Sequence, residues 1–263
     1  LAKGADTIIT GGAQQSNHCR QTAAACAQAG LACHLALGGG QPATLRGNLF
    51  LAHMLGARLH FCGAHRKGEK IPDLIAHLER EGRKVYAIPY GGSSAHGALG
   101  FVKAYEEFSA QCRAQNIVPD YLFFASSSGG TQAGLSLGKS MAPELRPILM
   151  PISIDKEERA EGSWPQKVAT LCREAASMLG WEGEVAAHEN TLIEGYDKNG
   201  YGQTTDAEWQ SIHHLARSEG VLLDPVYSGR AFHAMGDMLR RQLIPPGETV
   251  VFWHTGGIPA LFS

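Results

Sequence analysis

The chain has 263 residues, with 23 lysines and arginines against 25 aspartates and glutamates, so its formal charge is −2. Because no basic stripe stands out, the sequence lacks the electrostatic footprint of a nucleic-acid-binding protein. Every apolar run is also shorter than the roughly 18 residues of a membrane-spanning helix. We therefore expect small-molecule partners, no nucleic acid and no membrane. The six cysteines contain no C-x-x-C pair, which predicts neither a metal site nor a disulfide framework and indicates a reducing, cytoplasmic location.

Strands and helices alternate along the whole sequence. Apolar and β-branched runs predict strands, and apolar positions at helical spacing, often closed by glycine, predict helices. This alternation predicts an α/β fold with mostly parallel sheets, in which ligands bind where strand ends meet helix starts. The predicted strands cover residues 5–10, 31–37, 58–62, 85–89, 121–125, 148–154, a short stretch from 221, and 249–254; the predicted helices cover 20–29, 43–55, 72–81, 101–114, a stretch ending at 139, 166–179, 205–219, and one ending near 241.

A glycine-dense turn at residues 90–100 divides the chain. Backbone rich in glycine accommodates both a hinge and a nearby ligand, so a crossing between domains is predicted at this turn. We expect a small α/β domain over residues 14–96, and a large α/β domain formed by residues 1–13 and 97–263.

A second glycine-rich turn follows the apolar run at residues 121–125 and reads SSSGGTQAG from Ser126 to Gly134. Small residues let the backbone approach an anion, the hydroxyls of Ser128 and Thr131 can donate hydrogen bonds, and N–H groups at the following helix start carry partial positive charge. A phosphate group fits this chemistry. The turn lacks the Gly-Lys-Ser/Thr end of a Walker loop and the G-x-G-x-x-G dinucleotide fingerprint. On its own, such a turn is more often explained by tight packing.

Seven short strings carry a family resemblance: GADT at 4–7, QSNH at 15–18, PYGGS at 89–93, GALGF at 97–101, SGGTQAG at 128–134, LDPVY at 223–227 and HTGGIPAL at 254–261. Taken in this order, they resemble the pyridoxal-phosphate enzymes of the tryptophan-synthase-β-like fold, and among these the D-cysteine desulfhydrase and 1-aminocyclopropane-1-carboxylate (ACC) deaminase family. The resemblance covers essentially the whole chain. It implies fold type II, with two open, twisted, mostly parallel sheets flanked by helices, pyridoxal 5′-phosphate as cofactor, a small amino-acid substrate, and a homodimer.

The resemblance also assigns the cofactor-binding residues. Ser128, Gly129, Gly130 and Thr131 would hold the cofactor phosphate, in agreement with the chemistry of the glycine-rich turn. Asn17 would hydrogen-bond the 3′ oxygen of the pyridoxal ring.

Four further residues are implied to act on the substrate. Ser16 and His18 would face the substrate carboxylate or take part in proton movement, because a helix N-terminus and a hydroxyl suit a carboxylate. Ser16 can also serve as a helix cap. Tyr201 and Tyr227 match family tyrosines near the cofactor and substrate, although either tyrosine alone is more typical of an amphipathic packing residue.

Two positions separate the members of this family. Where the deaminases carry Glu as the partner of the pyridine nitrogen, this chain has Ser228, and where they carry Leu after the final histidine, it has Thr255. The desulfhydrases carry a hydroxyl at both positions. A carboxylate would keep the ring nitrogen protonated and make the ring a stronger electron sink, whereas elimination of a good β leaving group needs less from the ring. The resemblance therefore implies a lyase that converts D-cysteine to pyruvate, sulfide and ammonia. ACC deamination, or another β-elimination such as release of sulfite from cysteate, stays open.

The lysine that anchors the cofactor in this family lies in a Gly-Gly-Asn-Lys type segment upstream of the match at residues 4–7. None of the nine lysines of the chain stands in that context. We therefore expect that an N-terminal segment is missing and that this chain alone is inactive, because the lysine is both the covalent anchor and the usual base for the Cα proton. The alternative expectation is a non-catalytic protein that binds pyridoxal phosphate or another phosphate metabolite.

Overall fold

The computed structural model describes residues 3–142, 144–157 and 162–263, which separate into two compact units. Unit 1 comprises the described residues up to Gly92 together with Pro259–Ser263, and unit 2 comprises Ser93–Ile258. This division differs from the predicted one, which placed residues 1–13 and 259–263 in the large domain and 93–96 in the small one. The first strand is paired on both of its sides within unit 1, and Ser94 caps the first helix of unit 2.

Unit 1 is built on a four-stranded sheet. The strand order is β3-β2-β1-β4, and the three neighbouring pairs are parallel, with Gly12 at the end of β1 opposite Leu37 at the end of β2. Helices α1 and α2 contribute to one apolar core with β1, β2 and β3, while α3 contacts β1 and β4. The elements are β1 (Thr7–Gly12), α1 (Asn17–Ala29), β2 (Ala32–Leu37), α2 (Gly47–Met54), β3 (Arg58–Phe61), α3 (Ile71–Arg80) and β4 (Val85–Ala87).

Unit 2 is built on a three-stranded parallel sheet with the order β6-β5-β7. Its central strand is covered on both faces, because Leu122 and Phe124 pack in a cluster with residues of α4 and α5, whereas Phe123 packs in another cluster with residues of α8. Both faces of a parallel strand are expected to be apolar for this reason. The elements are α4 (Ala95–Gln115), β5 (Tyr121–Ser126), α5 (Gly130–Met141), β6 (Ile148–Ser153), α6 (Trp164–Leu179), α7 (Asp206–Glu219), α8 (Ser228–Arg240) and β7 (Val250–Phe252), with short 3-10 turns at Tyr90–Gly92, Ala187–Asn190 and Ile258–Phe262.

Two predicted element positions differ most from the structure. The stretch from Val221 forms no strand, because the backbone of Asp224 is engaged with Ser228 at the start of α8 rather than with a neighbouring strand. Helix α4 begins at Ala95, whereas the sequence predicted a start at residue 101. The glycines and alanines before residue 101 are helical, because the Ser94 side chain accepts a hydrogen bond from the backbone N–H of Gly97 at 3.2 Å and so caps the first turn.

No helix among the described residues is both long enough and apolar enough to cross a membrane.

Candidate active site

The glycine-rich turn of unit 2 joins β5 to α5. Gly129 has φ of 94°, in the left-handed region that favours glycine, and α5 begins at the next residue. The first turn of α5 contains no acidic side chain, so no carboxylate of that turn offsets the positive end of the helix dipole. The predicted strand, turn and helix start are therefore present, and the turn presents positive potential.

Ser93 organises this turn from a distant part of the sequence. Its hydroxyl donates to Ser128 Oγ at 2.7 Å and accepts from the backbone N–H of Gly130 at 3.1 Å. Because Ser128 accepts in this contact, its own hydroxyl proton is available to a ligand. A Cβ on Gly130 would lie 2.9 Å from Ser93 Oγ, so a glycine at this position allows the Ser93 hydroxyl to approach the turn. The sequence analysis assigned no role to Ser93.

Gln132 holds the start of α5 in place. The side chain is fully buried, and its Oε1 accepts from Ser126 Oγ at 3.0 Å and from the indole N–H of Trp164 at 3.2 Å. Its Nε2 donates to the backbone oxygens of Glu189 at 2.9 Å and Thr191 at 2.7 Å. Four hydrogen bonds satisfy the buried amide, so the turn before it has a fixed position within unit 2.

In unit 1, the segment after β1 places three predicted residues at the start of α1. Ser16 is the N-cap, and its side chain accepts from the backbone N–H of Cys19 at 3.2 Å. A Cβ on Gly12 would lie 2.9 Å from Ser16 Oγ, so a glycine at the end of β1 allows this approach. Ser16 is thus a cap, as the sequence allowed, and keeps its hydroxyl proton as a donor.

Asn48, a buried residue of α2, orients Asn17. Its Nδ2 group donates to the backbone oxygen of Gln15 at 2.9 Å and to Asn17 Oδ1 at 2.8 Å, while its Oδ1 accepts from Arg20 Nε at 3.2 Å. Since both amide protons of Asn48 are used as donors, the contacting atom of Asn17 is its carbonyl oxygen. The Asn17 amide N–H groups therefore serve as donors, which suits the phenolic oxygen of a pyridoxal ring.

His18, the third residue of this segment, lies half-buried against β1. Its Nε2 is 2.8 Å from Thr10 Oγ1, and burial lowers the pKa of His18 to about 4. The ring is therefore neutral at neutral pH, and it offers no cation to a substrate carboxylate.

The two predicted tyrosines of unit 2 are in contact. The Tyr201 and Tyr227 hydroxyls are 2.5 Å apart, and their rings meet edge to face with centroids separated by 5.9 Å. Either hydroxyl can donate to the other, so a proton can pass between them. The structure brings together two residues that lie 26 positions apart in the sequence.

Ser228 is fixed by Asp224, which is fully buried. One carboxylate oxygen accepts from the Ser228 hydroxyl at 2.6 Å and from its backbone N–H at 2.7 Å, and the other accepts from the backbone N–H groups of Val226 at 2.9 Å and Tyr227 at 2.7 Å. The backbone N–H of Asp224 in turn donates to Ser228 Oγ at 3.0 Å. The single hydroxyl proton of Ser228 is therefore committed to Asp224, which fixes the turn carrying Tyr227.

The turn containing Thr255 lies against the same aspartate. A Cβ on Gly257 would be 2.7 Å from the Asp224 Cβ, so only a glycine permits this packing. His254 Nδ1 accepts from the backbone N–H of Gly256 at 2.9 Å, which leaves its Nε2–H to donate to the backbone oxygen of Leu222 at 2.9 Å. Thr255 itself is exposed. Ser228 and Thr255, the two positions on which the predicted distinction from the deaminases rests, thus belong to turns that meet at Asp224.

The family model described as pyridoxal-phosphate dependent enzyme matches residues 1–256. The chain belongs to this family. Curated relatives named D-cysteine desulfhydrase from Yersinia enterocolitica and Serratia proteamaculans are 38% and 36% identical, and each match covers 100% of this chain and 79% of the relative. A crystal structure of an ACC deaminase homologue, 37% identical, matches with a TM-score of 0.87 over 100% of this chain and 77% of that one.

A solved pyridoxal 5′-phosphate-dependent aspartate racemase matches with a TM-score of 0.63 at 13% identity, over 97% of this chain and 74% of that one, and therefore shares the fold alone. Together these comparisons confirm the predicted family, the α/β fold of type II, the cofactor and the similarity to D-cysteine desulfhydrases. The roles of individual residues stay predictions.

The glycine-rich turn fits the phosphate ester of this cofactor. Gly129 adopts a left-handed φ just before the helix start, Ser128 keeps a hydroxyl proton for a ligand, and no acidic residue opposes an anion in the first turn of α5. These features belong to unit 2 alone. The donor group of Asn17 in unit 1 matches the chemistry of the ring oxygen.

Arg230 is a buried supporting residue of the candidate site that the sequence analysis missed. It is fully buried, and its Nε donates to Glu208 Oε1 at 2.6 Å. Its Nη1 donates to the backbone oxygens of Ile154 at 2.8 Å and Gly200 at 3.3 Å, and its Nη2 to that of Gln203 at 2.7 Å. The guanidinium therefore binds the backbone on both sides of Tyr201 and ties this loop to the helix that follows Tyr227.

Proposed function

We propose that the enzyme is a lyase that catalyses α,β-elimination on a small β-substituted amino acid, with D-cysteine and water giving pyruvate, hydrogen sulfide and ammonia. The observation that carries this proposal is Ser228, a neutral residue at the position where the deaminases have a carboxylate, with its proton committed to Asp224. The similarity to proteins named D-cysteine desulfhydrase supports it.

Pyridoxal phosphate, when bound, supplies an electron sink that acidifies the proton on the substrate Cα and permits loss of a β substituent. We propose that Ser128 and Thr131 bind its phosphate and that Asn17 donates to its 3′ oxygen. Because the Ser228 hydroxyl already donates to Asp224, the Thr255 hydroxyl is the better donor to the pyridine nitrogen. A neutral donor of this kind leaves that nitrogen unprotonated.

The substrate-facing roles follow from the remaining groups. The Ser16 hydroxyl and the N–H groups at the start of α1 suit the substrate carboxylate. Tyr201 and Tyr227, with hydroxyls 2.5 Å apart, can deliver a proton to the departing sulfur, because one phenol replaces the proton that the other gives up. Both tyrosines are held by buried charged groups, Arg230 on one side and Asp224 on the other.

The expected result of the direct test is sulfide and pyruvate in equal amounts from D-cysteine when the full-length protein is supplied with pyridoxal phosphate. L-cysteine and ACC are the comparison substrates, and we expect slower turnover of both. Turnover of ACC is measured as formation of 2-oxobutanoate. Borohydride reduction of the loaded protein followed by peptide mapping identifies the lysine that anchors the cofactor. Faster turnover of ACC would assign the deaminase activity instead, and bound cofactor with no turnover of any substrate would favour a non-catalytic binding protein.

Ser228→Glu is expected to weaken sulfide release from D-cysteine more strongly than Ser228→Gln does. The two side chains have the same length, and both displace the hydroxyl from Asp224, so the difference between them reports the charge. A carboxylate would favour the protonated form of the ring nitrogen and would also repel Asp224. The measurement is steady-state sulfide production by each variant, with cofactor content determined alongside. Equal rates for the two variants would contradict our account of the ring nitrogen.

We also propose a homodimer in the cytoplasm. The dimer is what the family resemblance implies. A reducing compartment is supported by the six cysteines, which are all free thiols, five of them buried.

A further inference from the structure

A chain of two hydrogen bonds runs from α1 through β1 in unit 1. His18 Nε2 lies 2.8 Å from Thr10 Oγ1, and Thr10 Oγ1 donates to the backbone oxygen of Ile88 at 2.9 Å. Thr10 is fully buried, so no water replaces either contact. Thr10 therefore links the ring of a predicted site residue to the backbone that follows β4.

The number of protons decides which nitrogen of His18 carries hydrogen. Thr10 has one hydroxyl proton, and it is used on the backbone oxygen of Ile88. The contact with His18 is then satisfied only if Nε2–H donates and the threonine oxygen accepts. In the Nδ1–H tautomer, the Thr10 hydroxyl would have to donate to Nε2 instead. The backbone oxygen of Ile88 would then lose its hydrogen bond from the buried Thr10 side chain.

The other ring nitrogen lies beside a glycine. A Cβ built on Gly92 would be 3.0 Å from His18 Nδ1 and 3.1 Å from the neighbouring Cε1, so any larger residue would cover this edge of the ring. Gly92 has φ of 68°, which also favours glycine. Burial keeps the ring neutral by lowering the pKa of His18 to about 4. A neutral imidazole whose Nε2 is protonated has Nδ1 as its one acceptor.

We propose that Thr10 is a positioning residue that fixes His18 as the Nε2–H tautomer, so that Nδ1 accepts a hydrogen bond or a proton from an N–H or O–H group of the ligand. The tautomer follows from the contacts of unit 1 alone. The role of Nδ1 toward a ligand rests on the function proposed above. Of the two roles predicted for His18, an accepting Nδ1 favours proton movement over binding of the substrate carboxylate.

The first test is the nitrogen spectrum of the protein before cofactor is added. In a long-range proton–nitrogen correlation of ¹⁵N-labelled protein, we expect a pyrrole-type shift for His18 Nε2 and a pyridine-type shift for Nδ1. His18→Gln identifies the resonance among the 12 histidines. Thr10→Val, which replaces the hydroxyl by a methyl group, should give a mixture of tautomers, and Thr10→Ser should restore the single one. Thr191→Val, the same change at an exposed threonine of unit 2 that donates to the His188 backbone, is the control.

An Nδ1–H tautomer in the unchanged protein would overturn the proposal, as would a Thr10→Val spectrum identical to that of the unchanged protein. Thr10→Ser keeps the test decisive if the valine variant does not fold, since the retained hydroxyl must preserve the Nε2–H tautomer.

The second test separates the tautomer from the function. In protein loaded with cofactor, Thr10→Val is expected to lower kcat for D-cysteine about tenfold, the usual effect of one lost hydrogen bond, with little change in KM. A shifted tautomer with unchanged kcat would overturn the role of Nδ1 and leave the lyase assignment intact. Absence of turnover in the unchanged protein would instead count against the proposed function, with the tautomer still read from the spectrum.

Discussion

Replacing Arg230 with methionine is expected to lower the free energy of unfolding by about 3–5 kcal/mol, because removal of one partner leaves a buried charge without compensation. The Arg230 and Glu208 side chains are 1% and 2% exposed, so water cannot replace the missing guanidinium. Glu208 would keep the hydrogen bond from the backbone N–H of Thr205 at 2.6 Å. Its described hydrogen-bond partners would then include no cation. The measurement is urea-induced unfolding of each variant, followed by fluorescence.

Arg241 offers a matched control in the same helix region. Its ion pair with Asp237 joins an arginine side chain that is 62% exposed to an aspartate four residues away, at 3.1 Å. Exposed pairs of this spacing contribute about 0.3–0.5 kcal/mol, so Arg241→Met should leave the unfolding curve almost unchanged. Equal losses for the two variants would contradict the interpretation that burial makes the Arg230 pair critical.

A double variant isolates the charge from the hydrogen bonds. Glu208→Gln combined with Arg230→Met removes both charges, and it should recover part of the stability lost by Arg230→Met alone, because no buried carboxylate then lacks a cation. The backbone oxygens of Gly200 and Gln203 would still have lost their donor. Turnover is therefore expected to stay low even where stability recovers, since the loop that carries Tyr201 has lost its attachment.

The sequence predicts the local backbone of the candidate site well where the predicted site residues are contiguous. The turn from Ser126 to Gly134 and the segment Ser16–His18 each combine small, hydroxyl and amide residues in a few positions, and in each the local pattern of strand end and helix start predicts the place of the side chains. The alternation of strands and helices likewise predicts parallel sheets. These predictions of local structure succeed because they depend on neighbouring residues, whose geometry the backbone determines.

The supporting residues could not be predicted in the same way. Ser93 contacts Ser128 from 35 positions away, Asn48 contacts Asn17 from 31, and Arg230 bonds the Ile154 backbone from 76. Nothing in the local sequence of a serine or asparagine indicates such a partner, since these pairings arise only when helices and strands pack. An arginine in an otherwise apolar stretch of α8 was the one available signal, because burial of a cation requires a carboxylate nearby.

The predicted strand from Val221 illustrates a different limit. A run of valine and leucine is apolar and fits a strand, but it forms one only if a neighbouring edge is available for pairing. Here Asp224, Ser228 and the turn between them use the local backbone donors instead, so the segment reaches α8 without joining the sheet. The side-chain hydrogen bonds of aspartate and serine compete with the sheet for the same groups.

Ser128→Asp is expected to reduce affinity for pyridoxal phosphate by at least about 100-fold. A carboxylate in the turn would face the phosphate dianion, and two unit charges about 4 Å apart repel by roughly 4 kcal/mol at an effective dielectric constant of 20. The same carboxylate lies just before the start of α5, where negative charge is favourable to the helix by about 0.3–1 kcal/mol. The variant should therefore fold normally and lose its ligand, which separates binding from stability.

The measurement is equilibrium dialysis of each variant against pyridoxal phosphate and, separately, against pyridoxal. Pyridoxal has no phosphate, so its binding should respond little to the new charge. Ser128→Ala removes the hydroxyl without adding charge and is expected to weaken pyridoxal phosphate binding about tenfold, the effect of one hydrogen bond. Ser140→Asp introduces the same carboxylate near the opposite end of α5, where it should slightly lower the melting temperature and leave affinity unchanged. If Ser128→Asp bound pyridoxal phosphate as tightly as Ser140→Asp, the phosphate group would have to bind elsewhere, because a carboxylate at residue 128 would repel a phosphate dianion bound in this turn.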